Sequence, residues 1–268
     1  MFGGIEVDGT RIQLTAADSA IFDIETVPDK ALAVQVLESQ YVESPLVSTK
    51  PLDDRFEDLM EAYQAKEGST FLPLCYHRPI AICLLVCNKN LEKITLEEWT
   101  LDKECLDGAK GQDEAEAEIV KKFWRFTETF PGRMVTFNGR GFDFPVLEYR
   151  ALKLGLPLVR YMEDSRKSFR HRYGRQTDLR DIMSNYGAVR MFGGLDAVSK
   201  GLGLAGKGDG VHGEDVLGMF EQGKFKEIRE YCTHDVFLTY WVYIKYSILS
   251  GRIKPADGAK LIEEGCKV

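Results

Sequence analysis

The chain has 268 residues, 44% of them apolar, which is enough to bury one large hydrophobic core, and we expect a single domain over residues 1–268. The formal net charge of −7 and the isoelectric point near 5.3 argue against a protein that holds nucleic acid through an overall positive field. They remain compatible with a site that gathers carboxylates around bound cations, because the cations reverse the local field.

Cysteine usage and the N-terminal segment indicate the compartment. The six cysteines form no CxxC pair and are scattered over a chain much larger than a disulfide-stabilised mini-domain, which favours reduced thiols. Residues 1–14 have neither the basic start nor the apolar run of a signal peptide, and no later stretch is long enough to span a membrane. We therefore expect a cytoplasmic protein with no membrane partner.

The first part of the chain predicts a buried strand followed by helices. Residues 20–25 are apolar apart from two acids, and Pro28 follows them closely. Residues 31–43 and 54–66 have helical patterns and are separated by prolines. We interpret residues 31–66 as a helical insertion. Its pattern is equally compatible with a gate over a cleft and with padding against the sheet.

The next part predicts a hairpin and a long helix. Strands over residues 79–87 and 91–100 are joined by a turn at 88–90. The apolar spacing over residues 112–130 predicts a helix with an acidic start. The first of the two strands is apolar enough to be central in a sheet.

The second half predicts a strand–turn–helix unit and then further helices. A short strand over residues 133–137, a glycine-rich turn over 138–141 and a helix over 144–154 form the unit. A polar, basic connection follows over residues 160–175, and the longest helix is predicted over 225–249. This order predicts an α/β layer structure with a mixed central β-sheet flanked by helices.

Acidic residues occur in three segments of the chain, from which their side chains could converge on one site. Asp23 and Glu25 are two apart in a strand, so both side chains point to one face, where burial is costly unless a cation compensates them. Asp143 follows a strand and a glycine turn, where a helix N-cap explains it equally well. Tyr231 and Asp235 are one helical turn apart, as many ordinary amphipathic pairs are. Hydrolysis of a phosphodiester by two metal ions needs several carboxylates that converge on one space.

Taken in this order, the three segments resemble the exonuclease motifs of the DEDD family, and specifically of its DEDDy branch, which includes the proofreading domains of family B DNA polymerases. The matching segments are Phe22-Asp-Ile-Glu-Thr26, Asn138-Gly-Arg-Gly-Phe-Asp-Phe-Pro145 and Tyr231-Cys-Thr-His-Asp-Val236. The resemblance spans residues 21–243, and no polymerase domain follows. The chain therefore looks like the free-standing, predicted PolB-like 3′-5′ exonucleases.

The resemblance implies a ribonuclease H-like fold and a site for two divalent metal ions, Mg²⁺ or Mn²⁺. It assigns the metal ions to Asp23, Glu25, Asp143 and Asp235, whose carboxylate oxygens suit hard cations. It also implies that Tyr231 hydrogen-bonds the water that attacks the phosphate.

The related DEDDh branch uses a histidine five residues before the last aspartate. Here that position is Glu230, and His234 directly precedes Asp235, about 100° around the helix from it. We interpret His234 as a surface or packing residue.

Further residues are candidates for substrate binding: Thr26, Asn138, Phe142 and Lys207. Thr26 belongs to the first motif, and Asn138 and Phe142 lie in the second, where the family holds the terminal nucleotide. Lys207 can approach a substrate phosphate. These assignments come from the resemblance and from sequence position.

Three other segments have competing interpretations. Asp178 and Asp181 fit a place near the cleft and fit helix capping at least as well. A basic segment over residues 166–175 could track phosphates and stack bases, or form a solvated loop; it contains Arg166, Lys167, Phe169, Arg170, His171, Arg172, Tyr173 and Arg175. Residues 201–206 fit a GxGxxG pattern, but they follow a predicted helix and Gly208 replaces the Ser or Thr of a Walker A loop, so we expect no nucleotide cofactor there.

The sequence thus predicts an enzyme that removes nucleotides one at a time from the 3′ end of single-stranded DNA. An exoribonuclease is an alternative, because the motifs do not read the 2′-hydroxyl. A non-catalytic module that binds nucleic acid is another, and it predicts that some of the metal-binding residues are missing. The sequence identifies no protein partner.

Overall fold

The structure of the chain, a computed structural model, describes residues 4–7, 9–42, 50–102, 109–167, 175–191, 193–207 and 212–265. The strands are β1 (Gly4–Val7), β2 (Thr10–Gln13), β3 (Ser19–Pro28), β4 (His77–Cys87), β5 (Lys93–Thr100), β6 (Arg133–Thr136) and β7 (Gln176–Asp178). The helices are α1 (Lys30–Tyr41), α2 (Leu52–Glu67), α3 (Ala109–Thr129), α4 (Asp143–Lys153), α5 (Val159–Lys167), α6 (Leu179–Met183), α7 (Leu195–Gly201), α8 (Val216–Glu221), α9 (Phe225–Leu249) and α10 (Pro255–Gly265). Across these described ranges, no helix has the length and apolar character needed to cross a membrane.

A mixed five-stranded sheet with the order β5-β4-β3-β6-β7 forms the centre of the molecule. Strand β3 is antiparallel to β4, and β4 is antiparallel to β5. On the other side, β6 is parallel to β3 and β7 is parallel to β6. The predicted mixed sheet flanked by helices is confirmed, and its order and strand directions are those of the ribonuclease H-like fold.

The two faces of β3 carry different chemistry because side chains alternate along a strand. Phe22 points to one face, where its ring contacts Phe123 of α3 and Phe144 of α4 at centroid distances of 4.9 and 5.0 Å. Asp23 points to the opposite face, against which α9 packs. Burial of each aromatic ring contributes up to about 3 kcal/mol. The aromatic side of β3 therefore anchors the strand and leaves its acidic side facing α9.

The predicted elements with clear hydrophobic periodicity are confirmed. The strand at residues 20–25, the hairpin at 79–100, the helix at 112–130 and the strand–turn–helix unit all occur with small shifts of their ends. The longest helix, α9, spans the predicted residues 225–249. The helix that precedes the glycines at 201–206 is also present as α7.

The polar connection predicted over residues 160–175 is wrong for its first part, which forms helix α5. Tertiary packing explains the helix, because Tyr161 is buried with its ring 4.8 Å from that of Trp124 and 5.7 Å from that of Phe144. Strand β7 was not predicted, since three residues are too short for periodicity and form a strand only by pairing with β6. Residues 168–174, which hold Phe169, Arg170, His171, Arg172 and Tyr173, lie outside the described residues, so the basic segment stays a prediction.

The insertion at residues 31–66 forms helices α1 and α2, which pack against each other. These helices enclose a hydrophobic cluster of their own, separate from the main core; its buried members are Ala33, Val34, Leu37, Phe56, Leu59, Tyr63, Leu72 and Tyr76. Leu72 and Tyr76 belong to the segment that leads from α2 into β4. The insertion is therefore tied to the start of β4.

Candidate active site

The first motif places two carboxylates on the face of β3 that meets α9. Asp23 and Glu25 are separated by one residue, so their side chains share this face. Their carboxylate oxygens and the Cys232 sulfur all lie within 4.8 Å of one another. Cys232 donates a hydrogen bond to the backbone carbonyl of Asp23 at 3.4 Å, and burial raises the pKa of its thiol well above the usual value. Cys232 thus remains a protonated packing residue, whereas the two carboxylates offer oxygen ligands.

The second motif brings Asp143 to β3 through a tight turn after β6. Asn138 has a φ of 72°, and a side chain at Gly139 would collide with Thr136, so the turn requires glycine at that position. Helix α4 starts at Asp143 with Phe142 as its N-cap residue, so the N-cap interpretation of Asp143 is wrong. The Asp143 carboxylate instead lies close enough to β3 for the backbone N–H of Ile24 to act against the rise of its pKa that burial causes. This proximity joins the second motif to the first.

Asp178 holds the turn of the second motif in place. Its carboxylate accepts hydrogen bonds from the backbone N–H groups of Asn138 and Arg140, both at 2.9 Å, and from that of Arg180 at 3.0 Å. It is buried and is the N-cap residue of α6, which confirms the capping interpretation. Asp181 forms an ion pair with Arg140. The two aspartates therefore support the turn that carries Asp143.

We expect Asp178→Ala to lower the free energy of unfolding by about 1–3 kcal/mol, because the N–H groups of Asn138 and Arg140 lose their acceptor. Asp181→Ala is the matched control, since it removes a partly exposed ion pair and should cost about 1 kcal/mol or less. Urea unfolding of both variants measures the difference. Equal losses in the two variants would contradict the anchoring role of Asp178.

The third motif contributes from helix α9. Tyr231 and Asp235 are one turn apart on the face that meets β3, with Asp235 buried and Tyr231 partly buried. Lys207 lies between them: its Nζ donates a hydrogen bond to the Tyr231 hydroxyl at 2.8 Å and forms an ion pair with Asp235 Oδ2. His234 is partly exposed. Burial raises the pKa of Asp235, and the positive charges of Lys207 and His234 act against that rise.

Lys207 reaches this position because the glycine loop after α7 folds back on the helix. The backbone N–H of Lys207 donates to Asp196 Oδ1 at 2.6 Å. A side chain at Gly206 would overlap those of Lys200 and Asp196, so the loop depends on glycine there. Burial alone would lower the pKa of the Lys207 ammonium, but the Asp235 carboxylate raises it overall, and Lys207 stays charged. The GxGxxG segment thus serves to place a lysine.

Electrostatic coupling shows that the carboxylates from the three motifs share one site. Burial raises the pKa of Asp23 well above its usual value, and repulsion from Asp143, Asp235 and Glu25 raises it further. Burial likewise raises the pKa of Glu25, with Asp235 as the largest charged contributor. The pKa of Asp143 rises to about 7, mainly through burial. Without a compensating cation, these groups resist ionisation together.

The residues fit a divalent cation on two observations. All four donors are carboxylates, which are the ligands that Mg²⁺ and Mn²⁺ prefer. The Oδ1 atom of Asp235 is buried and has no hydrogen-bond partner among the residues that the structure describes, so it is an acceptor without a donor there. A cation at this point would satisfy that oxygen and relieve the mutual repulsion.

The candidate substrate residues have specific partners. Thr26 Oγ1 lies 2.9 Å from Nδ1 of His77, and the Phe142 ring stands edge-on to the His77 ring at 5.3 Å. The side-chain oxygen of Asn138 accepts a hydrogen bond from Arg180 at 2.7 Å. Sequence reasoning missed His77, because a lone histidine at a strand start carries no signal until its partners are known.

Comparison with known families agrees with this geometry. The family described as predicted 3′-5′ exonucleases related to the exonuclease domain of PolB matches residues 69–265. The chain belongs to this family. Membership places it among the 3′-5′ exonucleases, hydrolases of phosphodiester bonds, and confirms the resemblance to PolB-like exonucleases. The matched range of this exonuclease begins after β3 and does not include Asp23 and Glu25, but the tertiary structure brings them to the other two motifs.

Three solved structures are similar to the exonuclease at low identity. E. coli exonuclease I in complex with a 5cy-dT13 oligonucleotide is 12% identical, with a TM-score of 0.44 and coverage of 93% of this chain and 43% of that chain. The family B DNA polymerase from the hyperthermophilic archaeon Pyrobaculum calidifontis is 14% identical, with a TM-score of 0.46 and coverage of 92% and 28%. A product-bound structure of exonuclease I is 13% identical, with a TM-score of 0.44 and coverage of 93% and 46%. The exonuclease thus spans less than half the length of these chains, and no curated protein matches its sequence.

Proposed function

We propose that the exonuclease removes nucleotides one at a time from the 3′ end of single-stranded DNA, with two divalent metal ions, Mg²⁺ or Mn²⁺. The observation that carries this proposal is the convergence of Asp23, Glu25, Asp143 and Asp235 on one buried site, where the other three carboxylates add to the rise that burial causes in the pKa of Asp23. A non-catalytic module has no reason to maintain this costly arrangement. The proposal takes residues 1–268 as one exonuclease domain and places the protein in the cytoplasm.

The four carboxylates would hold the metal ions. When bound, these ions supply the positive charge that activates a water molecule and stabilises the leaving oxygen. The water attacks the terminal phosphodiester, a new P–O bond forms, and the bond from phosphorus to the 3′ oxygen of the preceding nucleotide breaks. The products are a nucleoside 5′-monophosphate and a strand with a new 3′-hydroxyl.

Tyr231 orients the attacking water in this proposal, as in the DEDDy branch. Burial raises the pKa of its phenol to about 12, so the hydroxyl stays protonated at neutral pH and does not act as a base. Its oxygen accepts a hydrogen bond from Lys207, which leaves its own proton free to point at the water. Lys207 carries the positive charge beside this position and is proposed to contact the substrate phosphate.

A single-stranded substrate is favoured by the surroundings of the site. Phe142 precedes Asp143 in the sequence, and Thr26 follows Glu25. The side chains of Phe142 and Thr26 both contact His77. A flat aromatic surface beside the metal-binding residues suits an unpaired terminal nucleotide, whose base is accessible for stacking. The net charge of −7 does not favour a broad grip on duplex phosphates.

Timed digestion of end-labelled DNA and RNA oligonucleotides of the same sequence tests the proposal. Each substrate is used with a free and with a blocked 3′ end, in Mg²⁺, in Mn²⁺ and in EDTA. The expected result is a ladder from the free 3′ end of DNA that requires metal ions. A ladder from RNA alone would make the protein an exoribonuclease, and no cleavage of either substrate would support a non-catalytic binding module.

Tyr231→Phe tests the water-orienting role, because it keeps the ring that Lys207 contacts and removes only the hydroxyl. We expect kcat to fall roughly 10-fold or more, since a hydrogen bond worth about 1.4 kcal/mol or more is lost at the attacking water. KM should stay within about twofold, because the hydroxyl is proposed to contact water and not substrate. Tyr246→Phe, on the same helix but beyond the site, is the control. An unchanged kcat in Tyr231→Phe would contradict the role.

A further inference from the structure

Three aromatic side chains form a continuous surface, which we term the aromatic ledge: Phe71, His77 and Phe142. The Phe71 ring lies 4.7 Å from the His77 ring and 5.7 Å from the Phe142 ring, measured between centroids. His77 and Phe142 meet edge-on at 5.3 Å. Phe71 is 57% exposed, so most of its ring faces solvent.

Both ends of the ledge are fixed to the motifs of the active site. Phe142 directly precedes Asp143, and Thr26 directly follows Glu25. The Nε2 atom of His77 lies 3.0 Å from the backbone carbonyl of Leu72, which can only accept, so Nε2 carries the proton. Nδ1 is then an acceptor, and the Thr26 hydroxyl donates a hydrogen bond to it at 2.9 Å. The His77 ring is therefore held in one orientation beside the first motif.

The insertion determines where Phe71 lies. The next residue, Leu72, is 2% exposed and belongs to the hydrophobic cluster enclosed by α1 and α2. Burial of Leu72 and the hydrogen bond that His77 Nε2 donates to the Leu72 carbonyl hold this segment against the start of β4. The backbone N–H of Phe71 also donates to the Ser69 hydroxyl at 3.0 Å. The position of the exposed Phe71 ring is thus fixed by Leu72 on one side and by Ser69 on the other.

We propose that Phe71 is a base-stacking residue and that the insertion presents it to the substrate. This inference rests on the proposed function and adds to it a second stacking position beyond Phe142, for a nucleobase of the single strand near its 3′ end. An aromatic ring accepts any base, because every base has a flat face. Bases in a duplex are already paired and stacked, so the ledge selects unpaired ends.

Substitution of Phe71 gives the first test. With single-stranded DNA, Phe71→Ala should raise KM roughly 5- to 100-fold and leave kcat at saturation within about twofold. Phe71→Trp should retain wild-type KM, whereas Phe71→Leu, which keeps bulk but loses the flat ring, should resemble alanine. Leu249→Ala removes an apolar side chain that is 85% exposed at the far end of α9, and it is the control for loss of surface area.

Oligonucleotides with one abasic nucleotide at successive positions from the 3′ end give the decisive test. In the wild type, KM should rise when the base is absent at the position that stacks on Phe142 and at the position that stacks on Phe71, and Phe71→Ala should remove the penalty at the second of these alone. Equal penalties in wild type and Phe71→Ala at every position, or no penalty at any position, overturn the stacking role of Phe71. Anisotropy of the same oligonucleotides in EDTA measures binding without hydrolysis. If the wild type cleaves nothing, but Phe71→Ala still removes the base dependence of binding, the stacking role of Phe71 stands and the proposed function is refuted.

Discussion

Replacing Asp143 with asparagine is expected to lower kcat for 3′-end hydrolysis by about 10³-fold or more and to raise the thermal stability of the metal-free protein. The activity falls because a proposed metal ligand is lost, and metal ions contribute several kcal/mol to the transition state of such reactions. Stability rises because Asp143 is buried among like charges and its pKa is raised to about 7. At pH 8 the gain should be on the order of 2 kcal/mol, or roughly 4–8 °C.

The two halves of this prediction are measured separately. Steady-state digestion of a 3′-labelled strand gives kcat, and thermal unfolding in EDTA gives the stability. Glu230→Gln is the matched control, since Glu230 is an exposed acid on α9 that pairs only at the surface with Lys226. The control should change neither quantity appreciably. Retained activity in Asp143→Asn would contradict the proposed role of Asp143 as a metal ligand. A large drop in stability would contradict the destabilising effect of its buried negative charge.

Divalent metal ions are expected to stabilise the exonuclease more at pH 8 than at pH 6. The pKa of Asp143 in the folded protein is about 7, and those of Asp23, Glu25 and Asp235 are also raised above their unfolded values. The stability that these groups contribute to the metal-free fold is therefore complete below their unfolded pKa values and is lost as the pH rises through the folded ones. In the proposed site, metal ions bind the ionised carboxylates and restore that stability.

Thermal unfolding at both pH values, in EDTA and with Mg²⁺ or Mn²⁺, measures this effect. Binding at 100 times Kd contributes about 2.7 kcal/mol, which is several degrees for a chain of this size. The metal-induced shift should be larger at pH 8 and should shrink in Asp143→Asn. A metal-free protein that becomes more stable between pH 6 and pH 8 would contradict the raised pKa values of the site.

Local patterns in the sequence predicted the parts of the site that depend on one element. Asp23 and Glu25 share a face because a strand has a period of two, and Tyr231 and Asp235 share one because a helix turns every 3.6 residues. The apolar spacing of the long elements predicted the sheet and α9. In contrast, α5 depends on the burial of Tyr161 between distant aromatic rings, and β7 depends on pairing with β6.

Contacts across long sequence separations could not be predicted in this way. Lys207 was linked to the site only as a possible phosphate contact, and its bonds to Tyr231 and Asp235 bridge 24 and 28 residues. Asp178 anchors the turn of Asn138 over 40 residues. Nothing in the composition of either segment indicates these partners, because the glycine loop and the short strand acquire their positions from the elements they pack against.

The sequence by itself determined the motifs, the order of the long strands and helices, and the residues that share a face, because these depend on local periodicity and residue chemistry. Only the tertiary structure decided that Asp143 contacts β3 without capping α4, that Lys207 lies between Tyr231 and Asp235, and that Phe71 lies beside Phe142. Each of these contacts joins segments that burial of the two hydrophobic clusters brings together, and burial is a property of the whole fold.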